Sequence, residues 1–246
     1  MAKRETDARP GSARSRRDGG ALGVLVRERP PPLAALAEAR IREAIVYGEL
    51  GLGEPISEDR IATLLGTSRT PVREALAALQ LQGLVVIRPQ RGSFVFAPTE
   101  RDVTELCEFR AMLESEALRL SHDRARAATL ERMRAAEAEM EAAEAAGDLL
   151  TAAKADAAFH DAFFDMSGNR FLVQAHALIA GRVGALRYFA RRGSVASKRE
   201  TAPEHRALIA AFADPDPAAA EVILRAHIGA VDERHREAVA ATTIAG

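Results

Sequence analysis

The stretch Gly66-Thr-Ser-Arg-Thr-Pro-Val-Arg-Glu-Ala-Leu76 decides the fold of the N-terminal third of the chain. Ser68 or Thr70 is placed to cap a helix, and Pro71 falls in its first turn, where a missing N–H costs no hydrogen bond. Val72, Ala75, Leu76 and Leu79 then recur at helical spacing to about Gln82. Upstream, Ser57 is an N-cap for a short helix over 58–65 that Gly66 closes. Before it, Pro30-Pro31-Pro32 launches a helix through Leu33, Leu36, Ala39, Ile41, Ala44 and Ile45, which stops at Gly48 and leaves 51–55 as a loop. Downstream, residues 84–88 and 93–97 read as two short strands around Pro89-Gln-Arg-Gly92. Helix, helix, turn, helix, hairpin is the order of a winged helix-turn-helix.

Such a module presents the N-terminal end of its third helix to a major groove about 12 Å wide, with the hairpin tip against backbone or minor groove. Arg69, Thr70 and Arg73 occupy the early turns of that helix, and Arg69 and Arg73, four apart, share one face. A guanidinium takes a phosphate or a guanine edge with two parallel hydrogen bonds. Arg88 and Arg91 bracket the wing turn, and Gly92 lets its backbone approach a duplex closely. Each feature alone is an ordinary surface feature; the ordered set points to double-stranded DNA.

The net charge of −1 on 246 residues conceals a gradient. Residues 1–30 carry eight Lys/Arg and four Asp/Glu, residues 31–99 seven of each, and residues 100–246 nineteen against twenty-four. Net charge therefore does not exclude a polyanion, because only the sign on the docking face matters. Aromatics at 4%, with no Trp, argue against base stacking on single strands, and a lone cysteine excludes a disulfide framework or a paired-thiol zinc module. The expected organisation is a disordered basic arm (1–30), a DNA-binding domain (31–98) and a sensor domain (99–246). No run approaches the roughly 18 apolar residues of a membrane span, so a cytoplasmic protein without membrane contact is expected.

From Pro98 onward Ala, Leu, Glu and Arg dominate, and helices are expected over 101–121, 124–146, 149–166, 170–192, 198–213 and 216–240. The fold class is therefore mainly α. The charged face of 124–146 is expected to be solvated and paired at i,i+4. Asp156 and His160, four apart on one helix, can point at one site, with Phe159 anchoring that helix. His205 and His227 sit on two later helices joined by a short Asp-Pro turn and can face the same interior. Three imidazoles and a carboxylate suit a divalent transition metal, zinc foremost, with nickel, manganese, iron and cobalt also accommodated. His122, His176 and His235 lack such spacing and read as surface or packing residues. Arg110 is placed to clamp a carboxylate, with Glu114 at i+4 to orient it or simply to pair with it. Asn169 either caps the helix from 170 or reaches the pocket, and Arg182 and Arg187 are candidates for its lining. Two other readings of this half are a metal-dependent hydrolase and a purely structural dimerisation module.

The segment 66–76, with Leu79, Gly83-Leu84-Val85 and Arg88-Pro-Gln-Arg-Gly92, closely resembles the winged helix of the GntR family of bacterial transcription regulators. The resemblance implies that Arg69, Thr70, Arg73, Arg91 and Gly92 contact operator DNA. Phe109-Arg-Ala-Met-Leu-Glu114, Asp156-Ala-Ala-Phe-His160, Ser167-Gly-Asn169, Glu204-His205 and Ala226-His227-Ile228 resemble the FCD ligand-binding domain of that family's FadR-type branch, in its shorter VanR-like form. This implies a regulator rather than an enzyme. It also implies a metal held by Asp156, His160, His205 and His227, beside which Arg110, Asn169 and Arg182 are the residues expected to bind a small carboxylate effector. A homodimer on a palindromic operator follows from one winged helix reading only a few base pairs.

Overall fold

The computed structural model describes residues 31–193 and 195–244, with side chains described for all of these except 193–200 and 237–244. The basic arm expected over 1–30 lies outside the described residues.

The first half opens with α1 (Leu33–Val46), β1 (Pro55–Ile56), α2 (Glu58–Leu64) and α3 (Arg69–Leu81). The hairpin β2 (Val85–Arg88) and β3 (Gly92–Val95) follows. Ser57 caps α2, its hydroxyl accepting from the Arg60 N–H at 3.3 Å. Ser68 stands at the α3 N-cap. Two expectations are corrected. The buried stripe of α1 is Ala37, Ile41, Ala44 and Ile45, while Leu33 and Leu36 are 63% and 50% exposed, because packing on α3 selects one stripe of an apolar-rich helix. Pro55, expected in a loop, forms with Ile56 an edge strand in a sheet of order β1-β3-β2, with Pro55 opposite Phe94 and Ile56 opposite Ser93. Two residues are too few to show a period, and a proline is tolerated at an edge where its absent N–H breaks no ladder.

The second half is all helix. Thr99 and Asp102 form a reciprocal capping box that starts α4 (Glu100–Ala146). Two helices were expected here with a gap at 122–123; the chain instead continues through a single non-helical residue, Ala125 (φ −149°, ψ 35°). Then come α5 (Leu149–Met166), α6 (Arg170–Gly193), α7 (Val195–Phe212) and α8 (Ala218–Ile244). Phe159, Phe163, Phe164, Leu208, Phe212, Leu224 and Ile228 are fully or almost fully buried in the aliphatic and aromatic core between them. The charged face of 124–146 is not merely solvated. Arg132 pairs with Asp165, Glu141 with Arg206 and Glu144 with Arg191, all across to other helices, while Glu137 is buried.

The two halves share packing through α6, whose Ala185 belongs to the core of the first half. Two glycines on this helix allow the approach. A Cβ on Gly181 would lie 2.7 Å from Leu84 Cδ1, and one on Gly184 would lie 3.0 Å from Val46 Cγ1. Alongside, Tyr188 packs edge-on against Tyr47, and Lys154 of α5 reaches Glu43 at 3.5 Å. Gly181→Val is expected to cost about 1–3 kcal/mol, because Leu84 is itself almost fully buried and cannot swing away. Denaturant unfolding checks this, and a loss under 0.5 kcal/mol would show that the contact yields freely.

Candidate functional site

Two sites emerge, one on each half. On the first, Arg69, Thr70 and Arg73 lie exposed at the start of α3, as a reading helix requires. The arginines are tethered to α2: Arg73 Nε donates to Glu58 at 2.6 Å, and Arg69 Nε lies 3.1 Å from Asp59. These exposed pairs are weak and can exchange for phosphate. At the wing, the Arg91 N–H donates to the Arg88 carbonyl across the turn, and the Arg88 guanidinium lies over the Phe94 ring at 4.9 Å. Gln90 (φ 62°) and Gly92 (φ 99°) both take left-handed backbone there, which only glycine adopts freely. Arg88, Arg91 and Gly92 are all exposed at the tip.

In the second half, α5 presents Asp156 and His160, α7 presents His205 and α8 presents His227, all buried. Ring nitrogens of the three histidines lie within 4.8 Å of one another. Each Nδ1 is held by a carboxylate: His160 by Glu114 at 2.7 Å, His205 by Glu137 at 3.0 Å and His227 by Glu204 at 2.6 Å. That leaves Nε2 as the nitrogen of each ring that its glutamate does not engage, the orientation that second-shell carboxylates impose on metal-binding imidazoles. His205 Nε2 is buried without a hydrogen-bond partner among the described residues, and its ring stacks on Phe159 at 3.9 Å, so Phe159 positions a ligand ring as well as its own helix. Burial drives the His227 imidazole down to about 4 against the pull of Glu204, and holds His160 well below its ordinary value despite Glu114. Neutral rings are what a divalent cation requires.

Arginines crowd this donor set. Burial opposes ionisation of Asp156, yet Arg187 (Nε at 3.2 Å) and Arg191 (Nη2 at 3.1 Å) hold its carboxyl well below the usual range. Asp156 Oδ1 is 3.9 Å from His205 Nε2. Arg110 is 1% exposed; its Nε donates to Glu114 Oε1 at 2.5 Å, and its Nη2 lies 3.1 Å from His160 Nε2. The three imidazoles fit a divalent ion in donor type, and Asp156, paired with Arg187 and Arg191, stands outside that close group; one further condition applies. An ion on His160 and the Arg110 N–H compete for the same lone pair, so Arg110 must withdraw. A cavity of about 20 Å³, room for roughly one water, opens beside Asp156 and His227 and is closed by Arg187, Arg191, Arg234 and His235.

Several expectations change. Asn169 caps α6, its side-chain oxygen accepting from the N–H groups of Phe171 and Leu172, and is not among the cavity's lining residues. Arg182 does not reach the cavity either: it packs under Gly83, where a Cβ would sit 3.2 Å from its guanidinium. Arg187 and Arg191, four apart on α6, take the role of charged lining. His122 is buried against Phe212 and bonds the Asp214 carbonyl at 2.8 Å, and His176 stacks on Phe164 at 3.8 Å, so both pack. His235, expected at the surface or in packing, lines the cavity. Glu137, Glu204 and Arg191 had no role assigned from sequence. Glu204 adjoins a candidate ligand and Arg191 follows Arg187 at i+4, which are the only hints the sequence carries.

Comparison with known proteins matches residues 33–95 to the bacterial regulatory proteins of the gntR family and residues 105–230 to the FCD domain. A probable D-xylose utilization operon transcriptional repressor of Paenarthrobacter nicotinovorans is 33% identical over 186 residues, covering 76% of this chain and 81% of that protein. The HTH-type transcriptional regulator LutR of Bacillus subtilis (strain 168) is 31% identical over 212 residues, covering 77% and 94%. Among solved structures, a GntR transcriptional regulator from Rhodococcus sp. RHA1 superposes with a TM-score of 0.71 at 23% identity, covering 82% of this chain and 96% of that one. No helix among the described residues is long and apolar enough to cross a membrane.

Proposed function

The chain belongs to the GntR family of bacterial transcription regulators, with a C-terminal FCD domain, and is a DNA-binding regulator rather than an enzyme; from that premise we propose that it is a cytoplasmic, homodimeric repressor whose operator affinity is set by a small organic acid bound at a metal centre. The observation that carries this reading is the set of three buried imidazoles, each fixed through Nδ1 by its own glutamate, beside a cavity lined by arginines. His160, His205, His227 and Asp156 would hold the ion, zinc foremost. The ion would supply positive charge and open coordination positions for a carboxylate. Arg187 and Arg191, which here neutralise Asp156, would then be free to pair with that carboxylate.

Helix α6 supports a route to the DNA-binding half. It carries Arg187 and Arg191 at the cavity, and Gly181, Gly184 and Tyr188 against Leu84, Val46 and Tyr47. Lys154, which reaches Glu43, is two residues from Asp156. An acid that redirects the arginines shifts α6 between two seatings, and the differential affinity for those seatings is the coupling free energy to operator binding. Two winged helices related by a dyad would read the halves of a palindromic operator.

The test is operator affinity at fixed salt, with and without zinc and a panel of acids. An affinity that none of them alters would defeat the proposal. A separable result concerns the reading helix. Arg69→Ala and Arg73→Ala are each expected to weaken operator binding by about 1–3 kcal/mol if the lost contact is to a base, with metal content unchanged. Equal loss on operator and random DNA would instead assign that arginine to phosphate.

A further inference from the structure

Two acids open α2, Glu58 and Asp59. A helix N-terminus favours negative charge, which accounts for an acid at this point of the chain but not for where Glu58 reaches. It crosses to α3: its Oε2 accepts from Arg73 Nε at 2.6 Å and lies 3.7 Å from Arg69 Nη2. The Glu58 side chain is 26% exposed against 70% for Asp59, so it is the better held of the two. One carboxylate on the supporting helix therefore faces both arginines of the reading helix.

A negative charge on the face that meets a polyanion repels phosphate, and so opposes binding to every duplex alike. What it can contribute is orientation. An arginine side chain is long and flexible, and a phosphate contact holds a duplex without reading it. Glu58 engages Nε, and among the described residues no other hydrogen bond or ion pair engages the Arg73 guanidinium, so its Nη1/Nη2 edge is left open. Two parallel N–H groups on such an edge match O6 and N7 of guanine. In the free chain the exposed pair is weak, but docking expels the water that screens it, and its hold on the guanidinium strengthens where the base is read. Building on the base-reading role given to Arg73 above, we propose that Glu58 is a positioning residue that sets sequence specificity: it aims Arg73 at a base edge and withholds it from phosphate. A contact that penalises the wrong partner is as much a source of specificity as one that favours the right partner.

The experiment titrates the full chain by fluorescence anisotropy, over a range of salt, with a duplex that the wild type selects from a random pool and with the same duplex shuffled in sequence. Glu58→Ala is expected to lower the selected-to-shuffled affinity ratio about 5–10-fold. The salt slope on the shuffled duplex should steepen by about one, as the released arginine takes up a phosphate. Glu58→Asp keeps the charge but ends one methylene short of Arg73, so it should lower the ratio as well, whereas Glu58→Gln, which keeps an acceptor at full reach, should retain part of it. In an Arg73→Ala background none of the three should move the ratio further. A Glu58→Ala ratio equal to that of the wild type overturns the inference, as does an Asp variant that behaves as wild type or a loss that persists undiminished without Arg73; each would assign Glu58 to bulk charge or to the start of α2. An Arg73→Ala ratio equal to that of the wild type would overturn the base-reading role of Arg73 together with this inference, and so would a pool in which no duplex is enriched. Should the Ala variant fail to fold, the Asp and Gln variants decide.

Discussion

Glu114→Ala is expected to destabilise the chain by about 3–5 kcal/mol, the cost of removing one partner from a fully buried ion pair. Glu114 is 0% exposed and serves two neighbours, accepting from Arg110 Nε at 2.5 Å and facing His160 Nδ1 at 2.7 Å. Burial disfavours its charge, but Arg110 and His160 hold its carboxyl well below the usual range. Without it, Arg110 keeps a positive charge in the core without the carboxylate it donates to, and His160 loses the group that fixes its tautomer. Arg110→Ala strands Glu114 in the same way, so a blunted effector response in that variant must be measured at a temperature where it is folded. In Glu114→Ala, Arg187, 3.9 Å from Glu114, loses a carboxylate neighbour as well. Equilibrium denaturation checks the magnitude, and a loss below about 1 kcal/mol would show that Arg110 does not depend on this pair.

The same groups set a pH dependence in metal-free protein. His227 and His176 are held near 4 and His235 near 3, chiefly by burial, so below the ordinary histidine value of 6.5 the unfolded chain binds protons that the folded one refuses. Stability therefore falls as pH drops through 6.5 toward 4. Glu114 and Asp156, with depressed pKa values, contribute stability above their ordinary values of 4.5 and 3.8 and lose it on further acidification. Melting temperature in EDTA should be flat above about pH 7 and descend below 6.5.

His205→Ala is expected to abolish stoichiometric metal binding, the largest effect at the proposed centre. His205 is 0% exposed, its ring is clamped between Phe159 and Glu137, and its Nε2 is the one imidazole nitrogen of the trio found buried without a partner among the described residues. Glu137→Gln is the graded companion: it keeps the ring in place but weakens its orientation, for an expected 10–100-fold loss of zinc affinity. Metal content by native mass spectrometry, with competition against a chelator for affinity, reads both. One ion per chain retained in His205→Ala at wild-type affinity would remove His205 from the ligand set.

Local sequence was sufficient wherever the deciding interaction is local. Caps, glycine stops and apolar periods placed α2, α3 and the wing, because each involves residues within a few positions of one another. Pairs such as Asp156 and His160 were visible for the same reason, since a helix brings i and i+4 to one face. A two-residue edge strand left no periodic trace, and one glutamate among the many on α4 left nothing to mark it as the partner of His205, 68 residues away.

The sequence by itself determined a winged reader followed by a helical sensor with an Asp/His cluster. The tertiary structure alone decided which arginines face that cluster and which histidine lies beyond it. Arg182 and Arg187 are five residues apart on α6, about 140° around the helix, so only the packing of that helix could turn one toward the winged half and the other toward Asp156. The same holds for His235, whose ring is turned into the cavity by the way α8 lies on α6 and α7, a relation between segments that no local spacing encodes.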